Sequence, residues 1–351
     1  MKLCRHFGTC GGCAHQDMAA RDYRAFKRKL VTDALARHGI AAPVEDAVEV
    51  PPHSRRRAVF KLVKKGTIAI GFHALRSHTV VDMHECLVLA PKLVAAVQSL
   101  REVADGLLPE GGHAEVHATL TDNGLDLSFR ASVPLTPART AQLAKAAAKL
   151  GAIRILWNGA LAFESAAPRV GLGKAEIALP PESFLQPTRQ GEAALRARVL
   201  ETLSGAKAVA DLFAGCGTFA LALAERARVH AVEREGAMLE ALAAAARATQ
   251  GLKPVTVEKR DLFKRPLAPV ELARFDAVVL DPPRAGALAQ SRTLAASTIA
   301  RIAYISCDAE SFSRDAAILL AGGYRLRSVL PVDQFLWSAH IELVGSFEGG
   351  K

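Results

Sequence analysis

The second half of the chain alternates apolar strands with helices from about residue 186 onward. Strands are predicted at AVADLF, VHAVE, VTVEK, DAVVLD and RIAYIS, and two more at 324–332 and 340–347. Helices are predicted at 190–203, 218–226, 235–249, 287–298 and 310–320. Apolar strands that alternate with helices form a parallel sheet covered by helices on both faces. The pattern therefore predicts a doubly wound α/β domain in this half.

A glycine-containing loop, DLFAGCGTFA (211–220), joins the first of these strands to its helix. Gly215 and Gly217 allow a tight turn and a close approach to a ligand, whose polar groups can meet amides at the helix N-terminus. Glu233 ends the next strand, where a carboxylate can bind both hydroxyls of a ribose. A dinucleotide fingerprint needs a third glycine where Ala220 stands. The spacing therefore favours S-adenosylmethionine over NAD and over a purely structural turn.

The sequence Asp281-Pro282-Pro283-Arg284 follows the strand DAVVLD. Prolines at this position end the strand and stiffen a loop beside the ligand crevice. The same residues could also serve only as a rigid loop with an acidic helix cap. Enzymes that methylate amino groups carry an aromatic residue after the two prolines to stack a flipped base. Arg284 occupies that place, which disfavours the N6 atom of adenine as the methyl acceptor.

Cys307 follows the next strand, at the edge of the sheet where such folds bind substrate. A cysteine at a strand end is commonly a small buried apolar residue, but this position favours catalysis. A thiolate that adds to C6 of a pyrimidine makes C5 nucleophilic toward a methyl sulfonium, and a base then removes the C5 proton. Neighbouring positive charge or the following helix would increase the thiolate fraction. Glu342, beside His340 in the last strand, is the candidate base, because an acid in an apolar strand is costly unless paired or functional.

Three of the six cysteines lie in the first thirteen residues, as Cys4, Cys10 and Cys13. The chain has no uncharged apolar stretch of eighteen residues and no signal-peptide core, so we expect a cytoplasmic protein without membrane association. In that compartment closely spaced cysteines favour metal binding or catalysis over disulfides.

The chain is basic, with a formal net charge of +10. Its basic residues cluster at 21–29 and 55–65, which predicts a polyanionic partner such as a nucleic acid. Between and after these clusters the sequence predicts a helix at 17–39, helices at 91–108 and 138–150, and hairpins around Lys65-Gly66 and Asn123-Gly124. A domain boundary is expected near 170–190.

Taken together, these motifs resemble the uracil-C5 RNA methyltransferases, which make 5-methyluridine in rRNA and tRNA. The resemblance runs from Cys4 to about Phe347. It implies an α/β protein with a Rossmann-like class I methyltransferase domain at 181–351, a central α+β RNA-binding domain at 41–180 and an iron–sulfur segment with a helix at 1–40. It also implies methyl transfer from S-adenosylmethionine to uridine C5, with Cys307 as the nucleophile and Glu342 as the proton acceptor.

The resemblance implies further site residues by matching motifs. Cofactor contacts are implied for residues in the F-x-Q segment, the glycine loop and the ends of the following strands: Gln186, Phe213, Thr218, Glu233, Asp261 and Asp281. A [4Fe–4S] cluster is implied on Cys4, Cys10, Cys13 and, far downstream, Cys86. The chain departs from the family at Thr188 and Thr218, where many members have asparagine, and neither change removes a reacting group.

The resemblance also bears on the RNA target. Several rRNA-modifying members carry a TRAM-type β-barrel before the cluster, whereas here the cluster motif begins at residue 4. RNA contacts are therefore expected from the central domain and the cluster region. Because tRNA enzymes of the family lack both barrel and cluster, the motif favours 23S rRNA over tRNA. We expect the enzyme to be a monomer.

Two other interpretations remain open at this point. Four thiolates also bind zinc, with His6, His15 or His84 as further donors, so a zinc-dependent RNA-binding protein on a degenerate methyltransferase fold is one alternative. Cytosine-C5 methylation is the other, but its nucleophile usually follows threonine or proline, whereas Cys307 follows Ser306.

Overall fold

Two large β-sheets organise the protein in the computed structural model, which describes residues 3–349. The helices are α1 (Ala20–Arg37), α2 (Pro91–Leu107), α3 (Pro137–Leu150), α4 (Arg189–Thr202), α5 (Ala220–Leu223), α6 (Gly236–Ala248), α7 (Pro269–Leu272), α8 (Leu288–Ala295) and α9 (Ala309–Ala321). The strands of the first half are β1 (Val48–Glu49), β2 (Arg57–Lys65), β3 (Thr67–His73), β4 (Val80–Asp82), β5 (His113–Leu120), β6 (Leu125–Ala131), β7 (Ala152–Trp157), β8 (Ala160–Glu164), β9 (Arg169–Leu172) and β10 (Ala175–Ala178). Those of the second half are β11 (Ala208–Leu212), β12 (Arg228–Glu233), β13 (Val255–Lys259), β14 (Ala277–Leu280), β15 (Arg301–Ser306), β16 (Tyr324–Asp333) and β17 (Glu342–Gly349). Among these helices of residues 3–349, none has the length and apolar character needed to cross a membrane.

The eight-stranded sheet has the order β1-β16-β17-β15-β14-β11-β12-β13. Strands β15, β14, β11, β12 and β13 are mutually parallel, whereas β17 runs antiparallel to both β15 and β16. The predicted α/β domain with a parallel sheet is therefore confirmed for five strands, and β17 interrupts the parallel order next to them. Parallel strands end at one edge of the sheet, so the loops after β11, β12, β14 and β15 lie together.

The helix predicted at 218–226 is shorter than expected. It begins at Ala220 and ends at Leu223, because residues 213–219 form a loop in which Gly215 and Gly217 adopt left-handed backbone angles, with φ of 53° and 89°. A side chain at Gly217 would also collide with Leu242, since its Cβ would lie 2.3 Å from Leu242 Cδ1. The glycine loop thus takes up residues that the apolar pattern assigned to a helix.

The seven-stranded sheet, of order β4-β3-β2-β5-β6-β7-β8, forms the central part of the chain. Both predicted hairpins are confirmed, with β2 pairing with β3 around Gly66 and β5 pairing with β6 around Gly124. Leucines and alanines of α2 and α3 pack with apolar residues of these strands in one core. The strands β4, β7 and β8 were not anticipated from the sequence.

The N-terminal helix α1 packs against the C-terminal sheet. Its residues Val31 and Leu35 share a core with Tyr304 and Phe347, and β1 pairs in parallel with β16 at the edge of the sheet. The division of the chain at residues 40 and 180 stays a prediction. What the structure adds is that α1 and β1 pack against the sheet of the second half of the chain.

A buried polar network fastens α1 to the connection between β16 and β17. The Lys27 ammonium is fully buried and lies 2.7 Å from Asp333 Oδ1, while the Tyr23 hydroxyl donates to Asp333 Oδ2 at 2.6 Å. Lys27 also donates to the carbonyl oxygens of Phe335 and His340, at 3.2 and 2.6 Å. These bonds hold residues 334–341, here called the β16–β17 loop, against α1.

Replacing Lys27 with methionine should destabilise the protein strongly. The substitution leaves the Asp333 carboxylate buried without its cation, and breaking a buried ion pair in this way costs about 3–5 kcal/mol. The matched control is Lys29→Met on the same helix, because Lys29 and Asp33 form an exposed pair worth about 0.5 kcal/mol or less. Urea denaturation should separate the two variants. Equal unfolding free energies would contradict the role given to Lys27.

The two basic clusters are largely paired within the protein. Arg56 is only 2% exposed and donates to Glu192 Oε2 at 2.6 Å, and Arg57 donates to the Leu185 carbonyl oxygen at 2.6 Å. Lys61 pairs with Glu115, and in the first cluster Arg24 pairs with Glu49. Partners within the protein therefore engage all four of these side chains, although Arg24 stays largely exposed.

Candidate active site

A cavity of about 540 Å³ opens at the carboxyl ends of the parallel strands. It is lined by most of the predicted catalytic and cofactor-binding residues, namely Phe213, Thr218, Glu233, Asp261, Asp281, Cys307 and Glu342. Glu342 reaches this edge because β17 is antiparallel to β15 and starts where β15 ends, with Leu343 opposite Ser306. The base candidate and the thiol candidate therefore line one cavity.

The glycine loop is fixed by the carboxylate of Glu233. Gly215 N donates to Glu233 Oε2 at 3.1 Å, and the backbone amides of Arg234 and Glu235 donate to Oε1 at 2.6 and 3.1 Å. Phe213 adopts a left-handed φ of 61° in the same loop. The acid predicted to bind a ribose is thus held at the cavity wall by three backbone amides.

A pair of aromatic rings stands on the same side of the cavity. The ring centroids of Phe213 and Phe263 are 5.4 Å apart, and Phe263 is 48% exposed. The Phe263 amide donates to Asp261 Oδ1 at 3.0 Å, which fixes the loop after β13. Planar apolar faces next to a carboxylate-bearing loop suit an adenosine group, and these residues fit the cofactor implied by the sequence.

Hydrogen bonds between side-chain amides link Asp281 and Glu342, the two acids that line the cavity. Gln186 does not line the cavity, but its Nε2 donates to Asp281 Oδ2 at 3.2 Å. Gln334 Nε2 donates to Gln186 Oε1 at 2.7 Å and to Glu342 Oε2 at 3.1 Å. Asp281 and Glu342 are therefore joined through two glutamine side chains.

Both acids hold their protons more tightly than usual. Burial raises the pKa of Asp281 to about 7, against the opposing hydrogen bond from Gln186. Burial and the charge of Asp281 raise the pKa of Glu342 to about 8, against the hydrogen bond from Gln334. A base with a pKa near neutrality is suited to accept and release a proton.

These shifts predict how stability depends on pH. In the unfolded chain both acids lose their protons near pH 4, so between about pH 4 and 8 the folded state binds more protons and stability falls as pH rises. Glu342→Gln removes the part of this loss that comes from Glu342. We expect similar melting temperatures for wild type and variant at pH 5, and a variant that melts higher at pH 8. A melting temperature of wild type that rises relative to that of the variant as the pH increases would contradict the raised pKa of Glu342.

Cys307 lies between β15 and α9. Its neighbour Asp308 caps α9 by accepting from Ser311 N at 2.9 Å and receives the Arg284 Nε at 3.2 Å. The expectation that local positive charge increases the thiolate fraction is not met. Burial, followed by the charges of Glu342 and Asp281, raises the pKa of the Cys307 thiol to about 12. A cation brought close to Cys307 would lower this pKa and increase the thiolate fraction.

The four cysteines of the predicted cluster line a second cavity, of about 200 Å³. Cys86 comes from the segment after β4, whereas Cys4, Cys10 and Cys13 come from the N-terminal segment. The remaining cysteines of the chain, Cys216 and Cys307, line the larger cavity. Within residues 3–349, no group of three or more His, Cys, Asp or Glu side chains has the arrangement of a metal-ion site.

Arg55 and Phe335 line both cavities and form part of the wall between them. The Arg55 guanidinium carbon lies 5.7 Å from the Phe335 ring centroid, within the range of a cation–π contact. Sequence reasoning placed Arg55 in a basic run and did not single out Phe335. Neither residue lies in a recognisable motif, so only the folded chain brings them to the site.

The proteins with similar sequences include RNA methyltransferases. A family whose description is tRNA (Uracil-5-)-methyltransferase matches residues 174–347. An uncharacterised RNA methyltransferase of Brucella suis biovar 1 is 45% identical over 350 residues, which cover 99% of this chain and 84% of the relative. A 23S rRNA (uracil(1939)-C(5))-methyltransferase of Aromatoleum aromaticum is 32% identical over 366 residues, covering 98% and 84%.

The fold has a solved counterpart. The Pyrococcus abyssi tRNA (uracil-54, C5)-methyltransferase, in complex with S-adenosyl-L-homocysteine, superposes with a TM-score of 0.76 at 23% identity over 99% of this chain and 88% of that one. At that identity the likeness concerns the fold. With the sequence relatives it leads to one conclusion: the chain belongs to the family of S-adenosylmethionine-dependent RNA (uracil-5-)-methyltransferases.

Proposed function

We propose that the protein methylates C5 of a uridine in 23S rRNA through a covalent adduct between Cys307 and C6 of the uracil ring. The observation that carries this proposal is that Cys307 and Glu342 line the same cavity as the glycine loop and Glu233. A nitrogen or oxygen acceptor would need no thiol, whereas C5 of uracil needs activation by a nucleophile. The thiol and the acid together therefore favour C5 chemistry.

The proposed mechanism assigns one step to each residue. S-adenosylmethionine supplies a methyl group on a positively charged sulfur, which would also favour the Cys307 thiolate. Cys307 Sγ bonds to C6 of a uridine flipped into the cavity, and the electron pair displaced onto C5 and the O4 carbonyl attacks the methyl carbon, whose bond to sulfur breaks to leave S-adenosylhomocysteine. Glu342 then removes the C5 proton, the C5–C6 double bond forms again, and the Sγ–C6 bond breaks to regenerate the thiolate.

The cofactor-binding residues are proposed on the same grounds. Phe213, Thr218 and Asp261 line the cavity on the side of the glycine loop, and Glu233 is available to the ribose hydroxyls. Gln186 and Asp281 are hydrogen-bonded to each other and are linked to Glu342 through Gln334. We therefore place the methyl donor between the glycine loop and Cys307.

We also propose a [4Fe–4S] cluster on Cys4, Cys10, Cys13 and Cys86. What supports it is the convergence of these four thiols on one cavity, because four cysteine thiolates are the usual ligands of such a cluster. The cluster would join the N-terminal segment to the segment after β4. Its role is then structural support of the wall that contains Arg55 and Phe335.

Replacing Cys86 with serine should remove the iron. A cluster that loses one of four thiolates is held less tightly, so anaerobically purified Cys86→Ser protein should have lost most of the iron and sulfide and the brown absorbance of the wild type. The matched control is Cys216→Ser, whose thiol lines the other cavity and whose iron content should equal that of wild type. A colourless wild type containing zinc would instead support the zinc alternative.

The preference for 23S rRNA is supported by the 32% identical relative described as a 23S rRNA enzyme. The alternative is a tRNA substrate, as in the enzyme with the similar fold. Purified enzyme should be offered 23S rRNA fragments and a tRNA pool, each with methyl-labelled S-adenosylmethionine, and the 5-methyluridine formed should be quantified by mass spectrometry. Faster methylation of tRNA than of any 23S fragment would overturn the rRNA assignment while leaving the chemistry intact.

A further inference from the structure

Gln334 lies behind the active-site cavity, at the start of the β16–β17 loop. Its side chain is fully buried, and it does not line the cavity. It follows Asp333, which is fixed by the Lys27 ammonium and the Tyr23 hydroxyl of α1. The position of Gln334 is therefore set by contacts from the N-terminal helix rather than by substrate.

The hydrogen bonds of Gln334 fix the direction of the whole amide chain. Its Nε2 faces two acceptors, Gln186 Oε1 at 2.7 Å and Glu342 Oε2 at 3.1 Å. Glu342 has to be ionised to accept the C5 proton, and an ionised carboxylate only accepts hydrogen bonds, so in that state the nitrogen of Gln334 faces Glu342. The oxygen of Gln186 then faces Gln334, which leaves the Gln186 nitrogen for Asp281. One side chain thus sets the orientation of the groups on both sides of it.

The surrounding backbone leaves space for this amide. A Cβ added at Gly191, near the start of α4, would lie 2.5 Å from Gln334 Oε1 and 2.8 Å from Thr188 Oγ1. Glycine at this position allows the Gln334 side chain to pack directly against the helix that follows Gln186. The arrangement is therefore built into three separate parts of the chain.

We propose that Gln334 is a positioning residue for proton removal, which orients the carboxylate of Glu342 toward C5 of the uridine and holds Gln186 against Asp281. This inference rests on the proposed function. It assigns Gln334 to the resolution of the covalent adduct and not to its formation, because the residue contacts the base Glu342 and not Cys307. The two steps can be measured separately.

Charged groups around Glu342 determine what losing this amide does. Asp281 and Cys307 share its cavity, as do Arg55 and Arg284, and Arg284 is already paired with Asp308. The Lys27–Asp333 pair lies next along β16. None of these groups replaces the amide donor in the hydrogen-bond pattern of the described residues. Without Gln334 the carboxylate of Glu342 would lose its donor and its fixed orientation.

The experiment compares Gln334→Met with wild type on two RNA substrates. On uridine-containing RNA, turnover should fall about 10- to 100-fold, the range expected when a hydrogen bond to an ionised group is lost, and the covalent adduct should accumulate. On RNA with 5-fluorouridine at the target, where no C5 proton can be removed, adduct formation should stay within about 3-fold of wild type. This split in rates identifies a residue that acts after adduct formation.

A matched control separates positioning from a general loss of stability. Gln290→Met replaces another fully buried glutamine, whose side chain bonds to the backbone of Leu267 and not to active-site groups. This variant should show no difference in the loss of rate between the two substrates. Should Gln334→Met fail to fold, Gln334→Asn keeps the amide on a shorter side chain and should show the same split more weakly. Equal losses on both substrates, or no loss, would overturn the inference. A wild type that forms no adduct with 5-fluorouridine RNA would instead remove the covalent mechanism on which it rests.

Discussion

Cys307→Ala should abolish methyl transfer, with turnover lowered about 10⁴-fold or more, as when a covalent nucleophile is removed from other enzymes. The alanine protein has no group at the carboxyl end of β15 that can add to C6, so C5 of the uridine stays unactivated. It should also form no covalent complex with 5-fluorouridine RNA on a denaturing gel. Cys307→Ser should be equally inactive, because a hydroxyl is far less acidic than a thiol.

The control for this prediction is ligand binding. Cys307 makes no hydrogen bond that holds the glycine loop, so Cys307→Ala should still bind S-adenosylhomocysteine with an affinity close to that of wild type. Retained binding with lost turnover assigns Cys307 to the chemistry. Substantial turnover in the alanine protein would remove the covalent mechanism.

Glu342→Gln should trap the adduct instead of preventing it. The amide side chain keeps nearly the same shape but cannot accept the C5 proton, so methylated RNA should remain bonded to Cys307. Turnover should fall about 10²- to 10⁴-fold, the usual contribution of a general base. Denaturing gels of reactions with unmodified RNA should show a covalent band that is much stronger than that of wild type.

His340→Gln is the matched control for Glu342→Gln. His340 lies two residues before the start of β17 and is exposed, and its ring contacts Phe335 rather than the acids. We expect its turnover to stay within about 3-fold of wild type, since the side chain makes no bond to Glu342. If the histidine variant accumulates adduct and the glutamine variant at 342 does not, the base has been assigned to the wrong residue.

Much of the fold could be predicted because local patterns agree with it. The strands β14 and β15 are almost entirely apolar and buried, and Asn123-Gly124 specifies a hairpin turn. The antiparallel pairing of β17 and the pairing of β1 with β16 could not be predicted. Both depend on which distant segments meet, and no local periodicity encodes that choice.

The candidate site was predictable where its residues follow strands in recognisable motifs. Cys307, Asp281 and Glu233 each follow or end a strand, and the topology alone brings such residues to one cavity. Arg56 and Lys27 illustrate the opposite case. Each belongs to a basic cluster of the sequence, yet each is buried against an acid more than a hundred residues away. Arg56 pairs with Glu192, and Lys27 pairs with Asp333. Charge runs do not reveal their partners, and Gln334 had no signal of any kind.

The most direct test of the account is a map of 5-methyluridine in 23S rRNA and tRNA from cells with and without this gene. We predict that loss of the gene removes 5-methyluridine from 23S rRNA, that the wild-type gene restores it, and that the Cys307→Ala gene does not. Unchanged 5-methyluridine in both RNAs, or restoration by Cys307→Ala, would contradict the central claim that this protein methylates uridine C5 through Cys307.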